Sequence, residues 1–138
     1  MFDVEIRNVS GEPAAIGNAG PYTVVMDRPV GAGGRGVGFN GGQLLYLAIA
    51  GCISNDLFRE AARRGIALAR VRVSVSSDYA GDPAVSTPID YDVELEGDAP
   101  AEDLTRLLED VDRIAEIPNS LRRGTAVTLA AVQTTDIA

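Results

Sequence analysis

Residues 40–65 read NGGQLLYLAIAGCISNDLFREAARRG, and this stretch decides the fold. Asn40 and Gln43 have the spacing of a capping box, in which each side chain bonds the backbone N–H of the other residue at the start of a helix. A nearly unbroken apolar run follows, and two arginines precede Gly65, an arrangement typical of a helix end with a left-handed stop. The stretch therefore predicts one long helix with the only cysteine, Cys52, at its middle.

The bulk composition is that of a single cytoplasmic domain spanning residues 1–138, with 46% hydrophobic residues. A formal net charge of −8 argues against nucleic acid or an anionic membrane surface as a partner. The start of the chain shows no secretory signal, and the apolar run is shorter than the ~20 residues that cross a bilayer. A single cysteine excludes an intrachain disulfide and suits a reducing compartment.

The residue types that are absent exclude several chemistries. The chain has no histidine and no lysine, so all twelve basic residues are arginines. Without imidazole there is no Ser-His or Cys-His nucleophile and no histidine metal site, and without lysine there is no Schiff base. We therefore expect neither a metal nor a cofactor. Cys52 is the only obvious nucleophile.

The remaining patterns predict strands and a second helix around the long helix. Residues 2–9 and 22–27 read as strands with turns between them, and period-two alternation predicts half-buried antiparallel strands near residues 71–75 and 89–96. Arginines on one of these strands face acids on the other and are expected to pair. A second helix is expected at about 101–116, with Asp98 as its cap and Pro118 as its stop, followed by a final strand over 125–134. This order indicates an α+β fold.

The glycine-rich segment 31–36 matches G-x-G-x-x-G literally. A dinucleotide fingerprint needs these glycines between a strand and the helix that they open, within a βαβ unit. Here Pro29 ends the strand early, the helix begins well after Gly36, and the following sheet reads as antiparallel. We therefore interpret the segment as a flexible or tightly folded loop.

Cys52 has a structural and a catalytic interpretation. Buried free cysteines commonly act as small apolar residues, whereas a reactive thiol needs positive charge or hydrogen-bond donors nearby. Asp56 lies four residues later on the same helix face, where an ionised carboxylate would disfavour the thiolate. The interior Gly51 suggests that another group packs close to the backbone beside Cys52. From the residues alone, the structural interpretation is favoured.

Two segments resemble the OsmC/Ohr family, the osmotically inducible and organic hydroperoxide resistance proteins. The first runs from Gly33 through the glycine-rich loop to Cys52 and is similar to the family's loop, helix opening and cysteine-bearing helix. The second, Ile117-Pro118-Asn119-Ser120, is similar to the family's Cys-Pro-x-Ser segment. The resemblance implies an OsmC-like fold, with antiparallel sheets around a long central helix, in an intertwined homodimer. It also implies thiol-dependent reduction of organic hydroperoxides at sites where the two chains meet.

The resemblance places the peroxidatic cysteine on Cys52. The resolving cysteine falls on Ile117, the helix-opening Pro-Glu on Gly41-Gly42, and the activating arginine near Gly11, so these three positions lack the family's side chains. The acid at position 56 matches family branches that carry an acid four residues after the cysteine.

Two functions follow from these observations. In the first, the protein is a one-cysteine thiol peroxidase in which Cys52 becomes a sulfenic acid and an external thiol regenerates it. Arg35, Asp56 and Gln43 are the candidate supporting residues. Arg28 is a further candidate for the cation that replaces the missing arginine, and Arg122 or Arg123 of the partner subunit are others.

In the second, the protein is a non-catalytic binding protein that keeps the scaffold and takes an apolar ligand. A third possibility is that Cys52 only fills the core and the protein acts through other partners.

Overall fold

The computed structural model describes residues 1–137 of the chain. It has seven strands and three helices: β1 Glu5–Asn8, β2 Ala15–Ala19, β3 Tyr22–Met26, α1 Gly41–Arg63, β4 Leu68–Ser76, β5 Tyr79–Gly81, β6 Ala84–Ser86, β7 Asp90–Gly97, α2 Ala101–Ile114 and α3 Glu116–Arg122. These elements confirm the α+β class. No helix among the described residues has both the length and the apolar character that crossing a membrane requires.

The helix predicted around Cys52 forms as α1, and its two ends confirm the sequence signals. The Gln43 side-chain oxygen accepts from the Asn40 N–H at 3.0 Å, and the Asn40 side-chain oxygen accepts from the Gln43 N–H at 2.9 Å. These reciprocal bonds satisfy backbone donors that a helix start leaves free. Beyond Arg63, Gly65 has a φ of +68°, the left-handed conformation that stops a helix.

The backbone divides into two compact units, and α1 contributes to both. The first comprises Met1–Gly51 and Arg72–Glu94. In it β1, β2 and β3 form an antiparallel sheet, in which Gly17 of β2 is aligned with Ile6 on one side and Val24 on the other. Strands β5 and β6 form a separate antiparallel hairpin.

The second unit comprises Cys52–Val71 and the described chain from Leu95 onward. Its fully buried large side chains come from α1 and α2: Ile53, Leu57, Leu107 and Val111. Such residues at helical spacing bury the apolar face of each helix. At the end of α1, Arg64 donates to the carboxylate of Asp110 on α2 at 2.6 Å, and this bond lowers the pKa of Asp110.

Strands β4 and β7 pair with each other. The expected cross-strand ion pairs are present, with Arg72 3.0 Å from Glu94 and Arg70 3.7 Å from Glu96. The two pairs step in opposite directions along the two strands, as in an antiparallel ladder. All four side chains are more than half exposed, so each pair stabilises the fold only slightly.

Three sequence predictions are wrong. The turn segment between the first two strands contains β2, because β1 and β3 supply pairing edges to a segment of weak strand formers. Asp98 does not cap α2: its carboxylate accepts from the Ala67 N–H at 2.6 Å, and Pro100 occupies the N-cap position. The expected final strand over 125–134 does not form among the described residues, because no neighbouring strand pairs with it.

The end of the second helix also differs from expectation. Helix α2 ends at Ile114 because Ala115 has an extended backbone. Pro118 does not stop the helix but lies near the start of α3, where a proline removes no intrahelical hydrogen bond.

Candidate functional site

Cys52 lies within α1 and is half-buried. Its thiol makes no hydrogen bond or ion pair to any of residues 1–137. The close neighbour expected at Gly51 is not present in the described chain, because a Cβ built there would meet no atom within 4 Å. Solvent therefore reaches the helix surface beside the thiol, as a small-molecule reaction at sulfur requires.

Asp56 is 7% exposed and forms an ion pair with Arg59, whose Nη1 lies 2.8 Å from its Oδ1. Arg59 Nε also donates to Glu60 at 3.1 Å, and Glu60 in turn accepts from Arg63 at 2.8 Å. The hydrogen bond to Glu60 is the largest cause that raises the pKa of Arg59, and the charge of Asp56 adds to it. The carboxylate expected to oppose a thiolate is thus partnered by a cation of the same helix.

Arg35 and Gln43 are engaged with residues other than Cys52. The Arg35 guanidinium donates to both carboxylate oxygens of Glu12, at 2.7 and 2.8 Å, in a bidentate pair. The resemblance places an arginine in the first turn, and the structure has an acid there that holds an arginine of the glycine-rich loop. Gln43 serves the capping box at the start of α1.

The three remaining arginine candidates differ in what they contact. Arg122 donates to the Asp112 carboxylate at 2.6 Å. Arg28 lines a cavity in the first unit, described below. Arg123 follows α3 and is exposed.

The glycine-rich loop is tightly folded around the carboxylate of Asp27. This side chain accepts from the backbone N–H groups of Arg28, Arg35 and Val37 at 2.7, 3.0 and 3.1 Å. The bond from Val37 is the largest influence and lowers the pKa of Asp27, with burial opposing it and the other backbone donors adding to it. The packing is close, since a Cβ on Gly34 would lie 1.9 Å from the Arg28 carbonyl oxygen.

A hydroxyl cluster beside α1 was not predicted from the sequence. Tyr46 Oη lies 3.0 Å from Ser86 Oγ, and Ser86 Oγ lies 3.2 Å from Ser77 Oγ. Burial raises the pKa of Tyr46, but hydrogen bonds from Ser77, Ser86 and Tyr79 outweigh it and leave that pKa lowered. The Tyr79 ring stacks on Tyr46 with centroids 5.6 Å apart.

Gly42 makes room for that ring, because a Cβ there would lie 2.6 Å from Tyr79 Cε2. The glycine at position 42 was the only sequence signal that a ring packs against the start of α1.

Several cavities of ligand size lie in the described part of the first unit, and two of them bear on function. The larger, of about 720 Å³, is lined by Arg28, Phe39, Asn40, Gly42 and Tyr79 among others. The second, of about 440 Å³, is almost wholly apolar; its lining includes Ile6, Ala19, Tyr22, Met26 and Leu44. Within residues 1–137 no group of three or more Cys, Asp or Glu side chains is placed to hold a metal ion.

Several solved structures similar to this one are named OsmC-like or organic hydroperoxide resistance proteins. An OsmC-like protein from Mycoplasma pneumoniae superimposes with a TM-score of 0.75 at 15% identity, covering 88% of this chain and 87% of its own. An organic hydroperoxide resistance protein, OsmC, from Legionella pneumophila gives 0.60 at 16% identity, with 88% and 89% covered. An organic hydroperoxide resistance protein from Elizabethkingia anophelis gives 0.61 at 15% identity, with 88% of each chain covered.

No curated protein sequence matches the chain. The sequence profile described as OsmC-like protein, however, matches residues 32–130, a span that includes the glycine-rich loop, Cys52, α2 and α3. This match covers well over half of the chain, and the structural likeness covers 88% of it. The chain therefore belongs to the OsmC-like protein family.

Proposed function

We propose that this OsmC-like protein is a one-cysteine thiol peroxidase that reduces organic hydroperoxides through Cys52. The observation that carries the proposal is the half-buried thiol within the family-matched segment, with the neighbouring Asp56 carboxylate paired to Arg59 at 2.8 Å. The names of the Legionella and Elizabethkingia structures support organic hydroperoxides as the substrate class.

The chemistry needs one nucleophile and an external reductant. The Cys52 thiolate attacks the terminal oxygen of the peroxide R–O–O–H, and the O–O bond breaks. The alkoxide leaves and takes up a proton to become the alcohol. Cys52 is oxidised to the sulfenic acid. One molecule of an external thiol then reacts with the sulfenic acid, forms a mixed disulfide with Cys52 and releases water. A second molecule attacks this mixed disulfide, which regenerates the Cys52 thiol and releases the disulfide of the external thiol. No second cysteine of the chain can do this, since Ile117 stands at the resolving position.

Intact-mass spectrometry of the reduced protein tests the proposal directly. The protein is exposed briefly to cumene hydroperoxide or to hydrogen peroxide in the presence of dimedone, which traps sulfenic acids. We expect rapid stoichiometric labelling with the organic peroxide and none in Cys52→Ser. Reaction of Cys52 no faster than that of free glutathione would contradict the proposal.

Arg35 remains the proposed activating cation, with Gln43 supporting the helix start. Its guanidinium is already oriented by the bidentate pair with Glu12. Arg35→Met should slow the reaction of Cys52 with cumene hydroperoxide at least tenfold. Arg72→Met is the matched control, because Arg72 is also an exposed arginine paired with a glutamate but lies on β4. Equal rates in the two variants would exclude this role for Arg35.

The second candidate function, binding of an apolar ligand, is favoured by the 440 Å³ cavity, whose lining is almost wholly apolar. A long-chain fatty acid should then raise the melting temperature equally in the native protein and in Cys52→Ser. The effect should disappear in Ala19→Trp, which fills the cavity. A fatty acid that leaves the melting temperature unchanged would exclude this function.

The proposed assembly is a homodimer in the cytoplasm, which would supply the external thiol. The accessible surface of the chain supports a second copy as partner: it is 10334 Å², against about 6,800 Å² for a typical monomer of 14.4 kDa. The difference is about 3,500 Å² per chain, or about 7,000 Å² for two chains, which lies at the open upper end of the total area that obligate homodimers bury.

A further inference from the structure

The charges that follow Cys52 along α1 alternate in sign and are paired. Asp56 binds Arg59 at 2.8 Å, and Glu60 binds both Arg59 and Arg63, at 3.1 and 2.8 Å. The two acids are almost buried, with side-chain exposures of 9% and 12%. Water cannot fully screen the charge of an acid that is almost buried. The electrostatic field that such a carboxylate exerts on its neighbours therefore depends on whether a cation is paired with it.

We propose that Arg59 is a positioning residue for the Cys52 thiolate: it holds the Asp56 carboxylate in an ion pair and so keeps that carboxylate from opposing ionisation of the thiol. The inference deepens the proposed peroxidase function and rests on it for its biological meaning. It differs from direct activation, because Arg59 acts through Asp56 rather than on the sulfur.

The spacing of the three residues supports this role. Residues four apart on a helix have Cβ atoms about 5–6 Å apart, so Asp56 is the near neighbour of Cys52 on its face of α1. Arg59 follows three residues later and binds the Asp56 carboxylate at 2.8 Å. A like charge at such a distance disfavours the thiolate, whereas an ion pair presents a much weaker field.

The other charges near this face leave Arg59 as the balancing group. Asp56, Arg59, Glu60 and Arg63 sum to zero, and Glu116 of α3 also acts on Arg59 through its charge. Removal of Arg59 would leave α1 with one unbalanced negative charge in addition to that of Glu116, and Asp56 is the acid nearest to Cys52 along the helix. Removal of Arg63 would also remove one positive charge, but about one helical turn farther from Cys52.

The test is the pH dependence of thiol ionisation, measured by thiolate absorbance and by the rate of alkylation with iodoacetamide. In Arg59→Gln the titration midpoint of Cys52 should rise by about one pH unit, and alkylation at pH 7 should slow several-fold. The double variant Asp56→Asn/Arg59→Gln should restore the native midpoint. Arg63→Gln, the matched control, should shift it much less.

Asp56→Asn alone keeps the inference testable if Arg59→Gln does not fold. It removes the acid nearest to Cys52 in sequence and leaves the Arg59 guanidinium paired with Glu60 alone, so it should lower the midpoint. An unchanged midpoint in both single variants, or an equal shift in Arg63→Gln, would overturn the inference. These readouts need no peroxide. The titration midpoint could therefore shift as described although the protein does not react with hydroperoxides. That result would contradict the proposed function but would still support the role of Arg59.

Discussion

Asp27 organises the glycine-rich loop through a single carboxylate. Three backbone N–H groups converge on it, from Arg28, Arg35 and Val37. In Asp27→Asn the amide keeps one acceptor oxygen, so at least one of these donors loses its bond in a half-buried place. We expect the melting temperature at pH 7 to fall by about 5 °C, as followed by circular dichroism.

The pH dependence of this effect follows from the lowered pKa of Asp27. A depressed pKa in the folded state gives stability that is fully present above the unfolded value, 3.8, and is lost as the pH falls through the folded value. The difference in melting temperature between the native protein and Asp27→Asn should therefore be constant from pH 5 to pH 8 and should shrink below pH 3.8. A difference that grows on acidification would contradict this account.

At the scale of an element, the two hydrogen bonds of the α1 capping box should contribute measurably to the stability of the protein. Asn40→Ala removes the oxygen that accepts the Gln43 N–H and should destabilise the protein by about 1 kcal/mol in urea unfolding. Gln43→Ala removes the side-chain oxygen that accepts the Asn40 N–H and should also destabilise the protein. The double variant should cost less than the sum of the two, because the bonds are reciprocal. Full additivity would show that the two bonds act independently.

The elements also show how far the sequence could be interpreted. The ends of α1 were predictable because a capping box and a left-handed glycine are local signals. Strand β2 was not, since Ala15 to Ala19 become a strand only when two neighbouring strands supply pairing edges. The segment 125–134 shows the converse: it has a strand pattern but no neighbouring strand in the described chain.

The same contrast holds within the candidate site. Cys52 and the helix that carries it were predictable, whereas the pair of Arg35 with Glu12 joins residues 23 positions apart and leaves no mark in the sequence. The pair of Asp56 with Arg59 could have been found, because three residues on a helix is a standard ion-pair spacing.

At the scale of the whole molecule, the exposed apolar side chains bear on the proposed homodimer. Val127 and Leu129 are 97% and 81% exposed in the segment that follows α3, and Phe2 and Tyr22 are 97% and 76% exposed in the first unit. A soluble monomer rarely leaves so many large apolar groups in water. A segment that joins no sheet of the described chain is, in addition, a ready partner for a sheet edge of another chain.

If the homodimer uses this C-terminal segment, removal of the residues after Gly124 should abolish dimerisation. The full chain should sediment near twice 14.4 kDa at micromolar concentration, and the truncated chain near its own monomer mass. Because truncation also removes backbone contacts, Val127→Ser/Leu129→Ser is the milder variant and should weaken the dimer at least tenfold by removing apolar burial alone. Thr128→Ser, between them, is the control and should leave the dimer unchanged. A full chain that sediments as a monomer would contradict the proposed assembly, whereas a truncated chain that still dimerises would place the interface on other apolar surfaces such as those of Phe2 and Tyr22.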